Sequence, residues 1–161
     1  MIRWPLVSNV IRRGSSSNTF GPVRRDADGS PRNHQGWDFF APIGTPCFAI
    51  ADGRIEFAGD GGVQGYGLLV VHSFEWNSGT LFAAFAHLNR IDVTQGAVVS
   101  KGQQLGLTGD SGNARGMTGA DLQLHFEIRT IVRPGKGLAG RISPLEIFEQ
   151  LPMKTPIIDP V

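Results

Sequence analysis

Four histidines and one cysteine are the only imidazole and thiol groups in this 161-residue chain, so metal or nucleophilic chemistry has few places to sit. His34 stands four residues before Asp38, which opens a hydrophobic run ahead of the Pro-Ile-Gly-Thr-Pro turn at 42–46. His87 ends the apolar segment FAAFAHL just before a loop. His125 lies in DLQLHFEIRT, where polar and apolar residues alternate with the period of a strand. Leu122, Leu124, Phe126 and Ile128 share one face; Asp121, Gln123, His125, Glu127 and Arg129 share the other. Gln123 and His125 therefore leave the strand together, about 6.5–7 Å apart by strand rise, on a face free to address a cleft. His72, in LLVVHSF, follows a continuous apolar run and reads as a core-edge histidine with a backbone partner.

Zinc takes about four ligands from cysteine, histidine and carboxylate. With Cys47 alone, a disulfide and a cysteine-rich site are excluded, which leaves His34, Asp38, His72, His87 and His125 as candidates. A catalytic zinc site uses three protein ligands and keeps a position for water. Two histidines and an aspartate would leave the metal–ligand unit positively charged and still able to acidify that water. Cys47, between Pro46 and Phe48, reads as a small buried apolar residue.

The elements that must position these groups are short. The chain has 22 glycines and 10 prolines, which favours tight turns and brief strands over long helices. PCFAIADGRIEFAGD reads as two strands with Asp52-Gly53 as a hairpin signal between them. GYGLLVVHSF and GTLFAAFAHL are further strands, and VVSKGQQLGLTGDSG has a strand–turn–strand rhythm. Trp37 and Phe39 fall on one face, opposite Asp38 and Phe40, and Phe39 reads as core. Tyr66 reads as a turn residue. ISPLEIFEQL predicts one helix, with Ser143 as N-cap and Pro144 in its first turn. The fold class is mainly β: an antiparallel domain closed by a short C-terminal helix.

The length fits one domain with a core of its own. Hydrophobic residues make up 40% and charged residues 18%, with a formal net charge of +1. That balance shows no basic stripe and argues against nucleic acid. Arg12, Arg13, Arg24, Arg25 and Arg32 cluster early and read as a solvated arm. Residues 1–17, ending in Gly-Ser-Ser-Ser, read as a loosely held arm. The opening apolar run is too short for a signal peptide and is interrupted by Pro5. No window approaches the length of a membrane helix.

Four segments together resemble the lysostaphin-type (LytM-like) zinc metallopeptidases, which cut peptides of bacterial peptidoglycan. They are NTFGPVRR, HQGWDFFAPIGTPCFAIADGRI with its His-x-Gly-x-Asp motif, FAHL, and LQLHFEIR. GQQLGLTGDSG and the closing Ile-Ser-Pro-Leu are similar as well, so the resemblance spans residues 18–150, followed by a tail at 151–161. It implies a LytM-like fold and Zn²⁺ held by His34, Asp38 and His125. It implies His87 as a catalytic histidine beside the metal. The family has a second such histidine two residues before the last ligand, and here that position is Gln123. Glutamine donates and accepts hydrogen bonds but carries no proton at neutral pH; it can orient water or an oxyanion. The connection from Gly112 to Gln123 is also longer than the family's.

The implied activity is zinc-dependent hydrolysis of peptide bonds in peptidoglycan stems or cross-bridges. The alternative is a zinc-retaining but catalytically weakened domain that binds peptidoglycan or regulates another wall enzyme. The expected setting is the periplasm or the extracellular wall. Delivery would be by a non-classical secretion route or by phage, as for an antibacterial effector or a lysis protein. The expected partners are a peptidoglycan peptide and an immunity or inhibitor protein, with no nucleic acid and no membrane span.

Overall fold

A computed structural model describes residues 1–161, the side chain of Val63 excepted. In chain order the strands are β1 (Ser8–Asn9), β2 (Gly21–Arg25), β3 (Pro31–His34), β4 (Trp37–Phe40), β5 (Pro46–Phe48), β6 (Gly53–Asp60) and β7 (Leu68–Trp76). There follow β8 (Gly79–Ile91), β9 (Val98–Val99), β10 (Gln104–Thr108), β11 (Gln123–Arg129), β12 (Arg141–Ile142), the helix α1 (Leu145–Phe148) and β13 (Ile157–Ile158). Every strand pair is antiparallel, as the alternation in the sequence implied. The main sheet runs β12–β11–β8–β7–β6–β9. β11 lies between β8 on one side and β4, then β12, on the other.

The period-two pattern places Leu124, Phe126 and Ile128 in the core, each without exposure, beside Phe39, Phe85 and Trp37. Phe126 meets Phe85 edge-on at 5.2 Å between ring centres. Asp38 faces the other way, and Phe40 is partly exposed. The helix covers this core with Ile147 and Phe148, and Trp4 stacks on Phe148 at 4.2 Å. Ser143 Oγ accepts from the Leu145 amide as expected of a cap. The helix is nevertheless only four residues long, because Glu149 turns left-handed (φ 57°).

Two expectations are corrected. Asp52-Gly53 does not make a hairpin: β5 pairs with β10, whereas β6 pairs with β7 and β9. Asp52 instead accepts from the Lys101 amide, and a Cβ on Gly53 would lie 1.7 Å from the Ser73 carbonyl oxygen. The glycine marks a close strand approach, not a turn. The strand–turn–strand rhythm of 98–112 is present as β9, a turn and β10, which pair with β6 and with β5 and β8. Residues 1–17 are built into the fold: Leu6 and Ile11 are buried, and Arg3 N donates to Ile50 O at 2.8 Å. β1 pairs with β13, so the first and last segments close on one another.

The turn between β3 and β4 sets the spacing of His34 and Asp38. It passes so close to β11 that a Cβ on Gly36 would stand 2.1 Å from the Phe126 carbonyl oxygen. Gly36→Ala is therefore expected to cost about 1–3 kcal/mol or more by overpacking. Urea unfolding measures it, and an unchanged midpoint would contradict the close approach.

Candidate metal centre

Asp38 and His125 sit directly opposite each other in the β4–β11 ladder, so their side chains leave the same face as neighbours. His34, at the end of β3, comes round the Gly36 turn to join them. His125 Nδ1 lies 2.8 Å and His34 Nε2 3.1 Å from Asp38 Oδ1. One donor atom from each residue lies within 4.8 Å of the others. All three residues are buried.

Each residue is held by its remaining polar atom. His34 Nδ1 donates to the Thr19 carbonyl at 2.8 Å, and Nε2 is directed at Asp38 Oδ1. His125 Nε2 contacts Glu127 Oε1 at 2.9 Å, and Nδ1 is directed at Asp38 Oδ1. Asp38 Oδ2 accepts from Arg24 at 2.8 Å and lies 3.4 Å from Arg12. These outer contacts fix tautomer and ring orientation as the partners of metal-bound histidines do.

The electrostatics follow from burying this cluster. Burial alone would raise the Asp38 pKa, but hydrogen bonds from His125 and His34 hold it well below the usual range. Burial pushes the His34 pKa down, against the pull of its aspartate partner. Burial pulls His125 down too, yet the Asp38 and Glu127 carboxylates outweigh it and push it up to about 9. The proton so held between two carboxylates marks a place that attracts positive charge.

His87 lies beside this group, its ring centre 5.9 Å from that of His125. It adopts a left-handed backbone (φ 59°), a conformation costly for a non-glycine residue and often found at functional sites. Its amide donates to Tyr66 O at 2.8 Å and its Nδ1 to Ser111 O at 2.9 Å. Nε2 is thereby left as a bare acceptor on a residue that lines the cleft. Burial lowers its pKa to about 4. Gln123 lines the same cleft. With its amide nitrogen turned to Asp38, it donates to Oδ2 at 2.9 Å and Oδ1 at 3.0 Å.

His72 is not part of this assembly. It is fully buried in the core, where Nε2 accepts from the Ile50 amide at 3.2 Å and Nδ1 donates to Ser73 O at 3.0 Å. The backbone partner expected for it is present.

Several contributors escaped the sequence reading. Arg12 and Arg24, assigned to a solvated arm, turn inward onto Asp38. Arginines in a loop-rich segment carry no periodic signal that would separate the two cases. Tyr66 is more than a turn residue, since its hydroxyl donates to Glu127 Oε1 at 2.8 Å. Glu127 and Arg129 share the polar face of β11, yet both are buried. Glu127 is held by Arg129 at 2.7 Å and Arg141 at 2.8 Å. The regular run of polar residues from 121 to 129 was the available clue.

Two imidazole nitrogens and one carboxylate oxygen, each anchored from behind, match the donor set and ligand number of a catalytic zinc site. A family model, peptidase family M23, matches residues 32–138. The chain belongs to this family. It is 31% identical over 68% of its length to the peptidoglycan DD-endopeptidase ShyA of Vibrio cholerae, covering 23% of that protein. It is 30% identical over 78% of its length to the murein hydrolase activator NlpD of Salmonella dublin, covering 33% of that protein. The chain thus spans less than half the length of these relatives. Among solved structures, the catalytic domain of lysostaphin from Staphylococcus simulans superposes with a TM-score of 0.63 at 28% identity. That match covers 82% of this chain and 90% of the lysostaphin domain. The M23 fold and the resemblance read from the four segments agree.

Among the histidines, His72 yields a pH test free of the metal centre. Its pKa falls from the ordinary 6.5 to about 4 because burial disfavours the charged ring. Unfolded chains then bind the proton first. The stabilisation from the neutral ring is complete above pH 6.5 and is lost as pH falls from there toward 4. His72→Gln keeps a donor and an acceptor without the titration. The stability gap between wild type and this variant should narrow as urea unfolding is repeated from pH 7 to about 5. A gap independent of pH would contradict a neutral buried His72.

Proposed function

We propose that this chain is a zinc-dependent peptidoglycan endopeptidase, with His34, Asp38 and His125 as metal ligands, His87 as the catalytic histidine and Gln123 as its neighbour in the cleft. The observation that carries this reading is the convergence of three donor atoms whose outer atoms are all engaged, with the bare Nε2 of His87 beside them. Zinc held there would supply Lewis acidity, polarising a peptide carbonyl and lowering the pKa of water to about 7.

The protein's own groups supply the rest. His87 Nδ1 is committed to Ser111 O, so the neutral ring offers no N–H to the cleft. Its first role is therefore as acceptor of a proton from the attacking water. Protonated at Nε2, it becomes a donor that can steady the oxyanion and pass the proton to the departing amine. A pKa of about 4 makes the ring a weak base but a strong acid, which suits delivery to an amine. Gln123, its nitrogen on Asp38, keeps its oxygen for orienting water.

A second reading is favoured by one observation: Gln123 cannot titrate. A weakened enzyme that keeps its metal could bind peptidoglycan or regulate another wall hydrolase, and one relative carries the name of a hydrolase activator. The proposed setting in either case is the periplasm or the extracellular wall. An effector or lysis role, and an immunity or inhibitor partner, belong to the proposal for the whole protein.

Zinc-loaded protein is expected to release soluble peptides from purified peptidoglycan. His34→Ala should abolish both stoichiometric zinc binding and release, whereas His87→Ala should bind zinc and lose about 10²–10⁴-fold in rate. Equal release by His34→Ala would end the metallopeptidase reading. For Gln123→His, the loss of the amide hydrogen bonds to Asp38 predicts weaker zinc binding and no gain in rate. A gain on the order of 10²-fold, the size of a restored acid–base group, would instead identify a decayed enzyme and favour the second reading.

A further inference from the structure

The cleft before the metal centre has a volume of about 580 Å³ and an unbalanced charge. Arg12, Arg24, Arg32 and Lys136 line it, and Asp38 is the one carboxylate among its described lining residues. That carboxylate is already engaged by His34, His125 and Arg24. Arg12 also turns inward to it, and Arg32 pairs with Asp26 at 3.2 Å outside the cleft lining. Lys136 is different. It is exposed, and among the described residues no carboxylate lies within ion-pair distance of it.

The backbone that presents Lys136 is nevertheless fastened on both sides. The Gly137 amide donates to Gln35 Oε1 at 2.6 Å. Arg141 Nη1 donates to Gly135 O at 2.6 Å and to Gly137 O at 2.7 Å. Arg141 is itself buried, with Nε on Glu127 Oε2 at 2.8 Å and Nη2 on the Tyr66 hydroxyl at 2.8 Å. Glu127 in turn holds His125. The loop is irregular, yet it is tied through one guanidinium to the carboxylate that orients a candidate metal ligand. Surface loops ordinarily carry mobility. Here contacts from the buried Arg141 and from Gln35 fix the backbone on either side of Lys136, while its exposed side chain has no carboxylate partner among the described residues.

We infer that Lys136 is a specificity-determining residue that binds a free carboxylate on the substrate held in this cleft. The preferred substrate class is then a carboxylate-bearing stem peptide rather than an uncharged glycine bridge. The positive lining contributed by the arginines attracts the same anion, and Lys136 is the cation left to contact it directly. This inference rests on the peptidase reading only for its kinetic arm.

The test uses zinc-loaded full chain and three synthetic probes: a cross-linked stem-peptide dimer with free carboxylates, the same dimer amidated, and pentaglycine. Calorimetry gives binding, and product analysis gives kcat and KM. Wild type should bind the free-carboxylate dimer about tenfold more tightly than the amidated one, the size of one charge-assisted hydrogen bond. Lys136→Ala should erase that preference, raising KM about tenfold for the charged dimer while kcat and the amidated dimer are unaffected. Lys136→Arg should restore it. Because Lys136 is exposed, an unchanged melting temperature certifies the fold of each variant. A charge preference that depends on Lys136 without hydrolysis upholds the inference and sinks the peptidase reading. Hydrolysis with equal constants for both dimers, or constants that Lys136→Ala leaves alone, overturns the inference and spares that reading. Failure to bind either dimer, or preference for pentaglycine, also overturns it.

Discussion

A buried carboxylate must be matched by positive charge or it will not ionise, and the site is organised around that requirement at Asp38. Its side chain is almost wholly enclosed, with His34 and His125 on one oxygen and Arg24 on the other. In this arrangement His125 carries the compensating proton, which is why its pKa rises to about 9 despite burial. Positive charge placed at Oδ1 by a metal ion would satisfy the same demand and release that proton. Metal affinity at such a centre is coupled to pH for this reason.

Behind Asp38 lies a second buried carboxylate with a similar problem and a different solution. Glu127 is enclosed by Arg129, Arg141, Tyr66 and His125. Burial would raise its pKa, but the hydrogen bond and charge of His125, then the charges of Arg129 and Arg141, hold it well below the ordinary range. Two permanent cations for one anion leave the inner layer rich in positive charge, so His125 is not needed there as an imidazolium. It can serve Glu127 as a neutral donor through Nε2. The two carboxylates therefore impose opposite demands on one ring, and a metal ion held by His125 would reconcile them.

Much of this was legible in the chain itself. The alternation in 121–129 identified β11, its buried apolar face and the shared direction of Gln123 and His125. The His34–Gly36–Asp38 spacing was readable because a strand end, a glycine turn and a strand start place both side chains against one neighbour. What was hidden depends on pairing across the fold. Asp52-Gly53 looked like a hairpin locally, but the approach of β7 claims the glycine. Arg12 and Arg24 looked solvated because charge is usually exposed, and only the position of Asp38 turns them inward. Glu127 and Arg129 looked like the wet face of a strand until Arg141, from a separate segment, closed over them.

The strained backbone at His87 completes the logic of the site. A left-handed histidine is held by two hydrogen bonds, its amide to Tyr66 O and its Nδ1 to Ser111 O. Tyr66 is fixed through its hydroxyl by Glu127 and Arg141. The same inner charge cluster thus orients His125 from behind and His87 from the side. Gln123 stands outside this scaffold, bonded to Asp38 alone among the charged groups. An amide at that position preserves the hydrogen bonds that a buried carboxylate requires while adding no further proton to a cluster already crowded with cations. A side chain that does not titrate is therefore compatible with the packing of the centre, because its amide meets the hydrogen-bonding demand of Asp38 without adding charge.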